Sequence, residues 1–150
     1  MVTFIEKAQV EEVVGTKIKN LGLYQKAFTH KSALKEYEQL NESFETLEFI
    51  GDSVLGFVIT KYLFDRYENK QEGFLTKART KLVRGETLAH IANHLNLNQY
   101  VIMDEKGMRN SWNNNTKILE DVFEALIGAI YMDIGLIHAK EFILRIYQDP

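Results

Sequence analysis

Three carboxylates stand at i, i+3 and i+7 in the segment "FETLEFIGDSVLGFVITKYLF": Glu45, Glu48 and Asp52. On an α-helix of 3.6 residues per turn they fall within about 60° of one another. Gly56 continues their stripe. The segment "LEDVFEALIGAI" repeats the device, with Asp121 and Glu124 on one face and Gly128 continuing it. Leu119, Val122, Phe123, Leu126, Ile127 and Ile130 fill the other faces. Both helices therefore read as apolar nearly all round and mostly buried. Acids are almost never fully buried unless paired, and a glycine lets a second helix come close. The expected geometry is two crossing helices whose acids converge. Converging carboxylates repel unless protonated or bridged by a cation. An oxygen-only ligand set suits Mg²⁺ or Mn²⁺ rather than zinc, and such an ion serves phosphoryl chemistry. A di-iron bundle would need Glu-x-x-His pairs, and neither segment has one. A solvated acidic face is the usual fate of helix acids; the apolar surroundings weigh against it here.

Other candidates carry less. Lys77, Lys81 and Arg84 share one stripe of a helical stretch, while Arg79 projects elsewhere. That stripe reads equally as a solvated face or as a track for nucleic-acid phosphates. His90 and His94 are spaced i, i+4 but lack the acid of a protease motif, so they read as surface histidines. Trp112, beside an asparagine run, reads as a loop anchor before a base-stacking platform. Phe49 follows Glu48 directly and is either core or a knob for a partner chain.

The elements that must position these residues are helical. The chain has 150 residues, one proline and 45% apolar content, enough for one domain with a real core. It has no cysteine, which excludes disulfides and thiolate metal sites. Its net charge of −3 gives no global sign of nucleic-acid binding. We expect no signal peptide, no membrane span, and an intracellular, cytoplasmic protein. "TFIE" (Thr3 to Glu6) has a capping-box pattern before an amphipathic run ending near Gly15. A short helix is expected over Leu23 to Phe28 and a loop over Glu36 to Asn41. Ser43 is placed to cap the first acidic helix, which runs to about Arg66. After a break at Glu68 to Glu72, helical periodicity resumes with a bend at Gly85. Leu97 to Met103 reads as extended, and Asp104 to Asn115 as loop. The second acidic helix is expected from Lys117 to Met132, and a last helix from Leu136 to Tyr147. The class is all-α, with crossing helices around one core.

"ETLEFIGDSVL" closely resembles the ribonuclease III signature, usually written E-R-L-E-F-L-G-D-S-V-L. "FTHKS", "EGFLTKARTKLVRGETLA" and "LEDVFEALIGAIYMDIG" resemble further segments of that family, in its order. The resemblance spans roughly Ala27 to Gly135. It implies an all-helical endonuclease domain that cuts double-stranded RNA with Mg²⁺, for which Mn²⁺ can substitute. The products would carry 5′-phosphate and 3′-hydroxyl ends with short 3′ overhangs. By position, Glu48, Asp52, Asp121 and Glu124 match the family's metal-binding acids. Glu45 and Glu72 match two further acids of its cleavage valley. The family forms homodimers through the signature helix, and Phe49 falls where it places an interlocking aromatic. Thr46 replaces the usual Arg, and "RNSWNNNTK" replaces a more basic loop. We expect residues 1–150 to form a single catalytic domain without a double-stranded-RNA-binding domain; in many relatives one begins near a "DP" like Asp149-Pro150.

Two alternatives differ in class. A non-cutting relative that binds RNA or scaffolds a complex would tolerate loss of the acids, yet all six are present. A diphosphate-processing helical enzyme would want an Asp-Asp-x-x-Asp cluster, and none exists.

Overall fold

The computed structural model describes residues 3–38 and 40–148; Asp149 and Pro150 lie outside them. The described residues are all-α, with no strand and one isolated bridge, Thr29 to Ile102. Among them eight α-helices follow in order: α1 (Lys7–Val14), α2 (Leu21–Ala27), α3 (Glu45–Arg66), α4 (Glu72–Val83), α5 (Gly85–His94), α6 (Glu105–Arg109), α7 (Thr116–Ile134) and α8 (Leu136–Gln148). Short 3₁₀ turns cover Lys31–Lys35, Leu97–Tyr100 and Trp112–Asn114. No helix among the described residues is long and apolar enough to cross a membrane.

The core is organised around α7. Every residue from Asp121 to Ile130 is buried, as expected for a helix apolar on all sides. Helices α2, α3, α5 and α8 pack against it. Asn115 caps its start, its side chain accepting from the Lys117 and Ile118 N–H groups at 2.9 and 3.2 Å. Near its other end, the Asp133 carboxylate accepts from the Lys19 and Asn20 N–H groups and the Tyr24 hydroxyl, tying α7 to α2.

The "FTHKS" segment positions the start of α3. The Phe44 N–H donates to the Thr29 carbonyl at 2.9 Å. The Ile102 N–H donates to the Phe28 carbonyl and the His30 N–H to the Ile102 carbonyl, both at 2.8 Å. Ser32 Oγ accepts from the Asp104 N–H at 3.0 Å. Phe28 and Thr29 are fully buried beneath this network.

Several local expectations are corrected. The α1 capping box uses Glu6 and Gln9, not Thr3 and Glu6, because the helix begins one turn later. Phe44, not Ser43, occupies the N-cap of α3; the Ser43 hydroxyl donates instead to the Glu45 carboxylate at 3.1 Å. Leu97 to Tyr100 is a 3₁₀ turn, and only the residues after it are extended. The expected loop over Asp104 to Asn115 contains α6, capped by Asp104, whose side chain accepts from the Gly107 N–H at 2.8 Å. The bend at Gly85 is present: Arg84 adopts an extended backbone between α4 and α5. Gly85 itself leaves room for Glu120, whose carboxylate a Cβ there would crowd.

Candidate active site

Helices α3 and α7 make the most extensive helix pairing of the fold, and two glycines permit it. A Cβ on Gly51 would overlap the Glu124 carbonyl oxygen, and one on Gly128 would overlap the Leu47 carbonyl oxygen. The sequence pattern points to Gly56 and Gly128. Gly128 is a contact point, but a Cβ on Gly56 would meet nothing within 4 Å. The acids flank the line of contact instead of lying along it, so the crossing glycine of α3 sits off their stripe.

Where the helices cross, carboxylate oxygens of Glu48, Asp121 and Glu124 all lie within 4.8 Å of one another. Asp121 and Glu124 are only 9% and 6% exposed, and Glu48 is half-buried. Asp52, one turn after Glu48, is exposed and contacts Glu124. A recess of about 480 Å³ opens in front of them. Glu45, Glu48, Phe49, Asp52, Val83, Lys117, Glu120 and Glu124 line it.

Crowding of like charges away from water favours protonation. Burial first, then contact with Asp52, pushes the Glu124 carboxyl up to about 9. Burial and the neighbouring Asp121 push Glu48 up to about 7, with Lys117 acting in the opposite sense. Lys117 Nζ lies 2.9 Å from Asp121 Oδ1 and 3.8 Å from Glu120 Oε1. The Asp121 contact is an ion pair outside hydrogen-bond geometry, and Oδ1 has no hydrogen-bond partner among the described residues.

These residues fit a hard divalent cation. The donors are carboxylate oxygens alone, and one buried acceptor is left without a hydrogen-bond partner among the described residues. A cation would remove the repulsion that burial imposes on the group. Glu48, Asp121 and Glu124 form the close trio; Asp52 stands beside them at the solvent side.

Of the other residues singled out by sequence, Glu45 lines the recess and Glu72 does not. Glu72 is exposed in the first turn of α4, whereas Val83, at the other end of that helix, reaches the recess. Eleven helical steps separate the two, about 16 Å along the axis. Lys77, Arg79, Lys81 and Arg84 are all exposed. Arg79 projects apart from the stripe, as expected, its Nη1 donating to Thr60 of α3 at 3.1 Å, while Arg84 lies past the end of the helix that carries Lys77 and Lys81. His90 and His94 are exposed. Trp112 is 43% exposed, with the Lys106 ammonium 5.8 Å from its ring centroid. The asparagine run is structural: Asn113 and Asn114 bond to Asn98, and Asn115 caps α7.

Lys117 and Glu120 are site residues that the sequence reading misses. Their signal is the i, i+4 and i, i+3 spacing of a lysine before two acids. A second correction concerns α3. It is not apolar and buried on all sides; Phe49, Phe57 and Phe64 project into solvent at 79%, 59% and 65% exposure. Met132, Leu136 and Ile137 add exposed apolar surface where α7 passes into α8.

Comparison with known proteins agrees with this geometry. The Ribonuclease-III-like family pattern matches residues 20–149. A protein of Paramecium bursaria Chlorella virus 1 is 48% identical over 138 residues, covering 92% of this chain and 49% of the relative. Ribonuclease 3 of Francisella tularensis subsp. holarctica is 41% identical over 145 residues, covering 95% of this chain and 59% of the relative. The chain thus spans between half and three fifths of the length of these relatives. The nuclease domain of ribonuclease III from Campylobacter jejuni superposes with a TM-score of 0.86 at 36% identity, covering 95% of this chain and 96% of that one. That structure is described in terms of a flexible region involved in dimer formation. A Dicer from Pichia stipitis matches with a TM-score of 0.65 at 27% identity, over 99% of this chain and 58% of its own. With the signature helix, the acidic crossing and the nuclease-domain fold all in place, the chain belongs to the ribonuclease III family.

Proposed function

We propose that the chain is an endonuclease domain that hydrolyses double-stranded RNA with a divalent metal, Mg²⁺ by choice and Mn²⁺ as a substitute. The observation that carries this is the convergence of Glu48, Asp121 and Glu124, with Glu48, Glu124 and Asp52 lining an open recess. These four acids would hold the ion. When bound, it would activate water and stabilise the departing oxygen of the phosphodiester. Glu45, at the first turn of α3, would orient groups at the rim. Glu72 is assigned to the more distant valley wall. The recess presents five carboxylates and one lysine, so it repels RNA phosphates until a cation offsets that charge.

A-form RNA offers shape, phosphates and 2′-hydroxyls more than readable bases, so cleavage should depend weakly on sequence. The expected products have 5′-phosphate and 3′-hydroxyl ends and short 3′ overhangs. Lys77, Arg79, Lys81 and Arg84, each exposed on α4 or at its junction with α5, are assigned to phosphate contacts. The working unit is a homodimer joined through α3, supported by the exposed Phe49, Phe57 and Phe64. Phe49 also lines the recess, so a second copy seated there would form a wall of the cleavage valley. A purely scaffolding role is disfavoured, because the whole acid set is retained.

The test is incubation with long duplex RNA in Mg²⁺ and in chelator, with duplex DNA of the same sequence as control. Metal-dependent cutting of RNA, with DNA cut poorly, is expected. Equal cutting of both, or full activity in excess chelator, overturns the reading.

A further inference from the structure

We propose that Lys117 is the resident counter-cation of the acidic recess, which a divalent ion must displace in order to bind. This rests on the metal reading of the same site and adds a competitor to it. Lys117 is the one basic side chain among the described residues that line the recess. Its ammonium sits 2.9 Å from Asp121 Oδ1, the buried oxygen that has no hydrogen-bond partner among the described residues, and 3.8 Å from Glu120.

Helix stability does not explain a lysine there. Lys117 is the second residue of α7, where the macrodipole disfavours a positive charge. What favours it is the cluster. The ammonium faces Asp121 at 2.9 Å and Glu120 at 3.8 Å, and Glu48 lines the same recess. Asp121 of α7 and Glu48 of α3 meet where the helices cross, and without a cation between them they would repel.

A metal held by Asp121 cannot share that oxygen with an ammonium without strong repulsion. The lysine has somewhere to go. Its side chain is 67% exposed, and Glu120 offers a second carboxylate within reach. Glu120 is thus a resting place for the displaced ammonium and keeps it at the rim. The consequence is a site whose charge is partly offset without metal, and that takes up metal more weakly than its acids alone would.

The test uses the full chain as wild type, Lys117→Met and Lys117→Arg. Mn²⁺ alone is the probe, with free ion read by electron paramagnetic resonance and no RNA present. Thermal denaturation in chelator is the second readout. Removing an exposed, partly screened charge beside the site should tighten Mn²⁺ binding by roughly three- to tenfold in Lys117→Met. Its melting temperature in chelator should fall, and Lys117→Arg should stay near wild type in both. Equal or weaker Mn²⁺ binding by Lys117→Met overturns the proposal and leaves the metal site standing. An unchanged melting temperature in chelator overturns the counter-cation role as well. Failure of wild type and variants alike to bind Mn²⁺ overturns the metal reading together with the proposal.

Discussion

Gly51 of α3 rests directly on the backbone of Glu124 in α7, and a Cβ at Gly51 would overlap the Glu124 carbonyl oxygen. The contact that lets the helices cross is therefore made at a residue whose side chain belongs to the acid cluster. Packing and chemistry are coupled at that point: any spreading of the helices moves Glu124 away from Glu48.

Gly51→Ala should spread them. The obstacle is backbone, which cannot rotate aside as a side chain can. Overpacking of this kind commonly costs about 1–3 kcal/mol. A lower melting temperature is expected, together with weaker Mn²⁺ binding. Gly56→Ala is the control, because a methyl there meets nothing within 4 Å and gains helix propensity. If the two variants melt alike and bind metal alike, the crossing is not set by Gly51.

Glu124→Gln should separate chemistry from folding. In the metal-free protein burial keeps this carboxyl protonated at neutral pH, so an amide of the same shape is a close mimic. The melting temperature in chelator should hold or rise. With metal, one anionic oxygen ligand is lost, and placement of the ion suffers. Cleavage should fall by roughly two to three orders of magnitude. Duplex RNA should still bind in a gel-shift assay. Near wild-type cutting at low Mg²⁺ would remove Glu124 from the site; a variant that neither folds nor binds would make it structural.

Much of this site is legible because helical periodicity constrains it. Acids at i, i+3 and i+7 must share a face, and an asparagine run must turn, so the pairing of Glu48 with Asp121 and Glu124 follows from spacing. What escapes depends on partners outside the local pattern. Hydropathy cannot tell a face buried within the chain from one exposed for another chain, so Phe57 and Phe64 make α3 read as core, and Phe49 stays open between core and a knob for a partner chain. The choice of Gly56 over Gly51 comes from following the acid stripe, when the contact face lies beside it. Glu72 is singled out by resemblance; its distance from the recess follows from the antiparallel return of α4 along α3, which no local spacing encodes. The α6 turn has a readable cap in Asp104, hidden by the polar composition around it.

Phe49→Ala tests the assembly. The ring is 79% exposed in the single chain, so its loss should leave the fold of that chain intact. Truncating an aromatic at an interface centre commonly costs at least about 2 kcal/mol, roughly thirtyfold in dissociation constant. Light scattering and sedimentation should show a weakened dimer, with cleavage falling in step. An active wild-type monomer at micromolar concentration would rule the dimer out.

Proton and metal should compete for the same oxygens. Glu48 and Glu124 ordinarily titrate near 4.5; in the fold they are raised to about 7 and about 9. Above 4.5 the unfolded chain has released protons that the folded protein still holds. The contribution of this pair to metal-free stability is therefore full below 4.5 and is lost as pH rises through about 7 and then about 9. Metal reverses the trend, since the ligands must be ionised and binding expels their protons. Apparent Mn²⁺ affinity should rise steadily with pH across that window. Calorimetric titration at about pH 7 in buffers of different ionisation enthalpy should detect proton release on binding. Glu124→Gln should lose the upper part of the pH dependence and keep the part that Glu48 supplies. A Mn²⁺ affinity that is flat from mildly acidic to alkaline pH, with no proton release, would show that the two carboxyls are already ionised and that burial does not govern them.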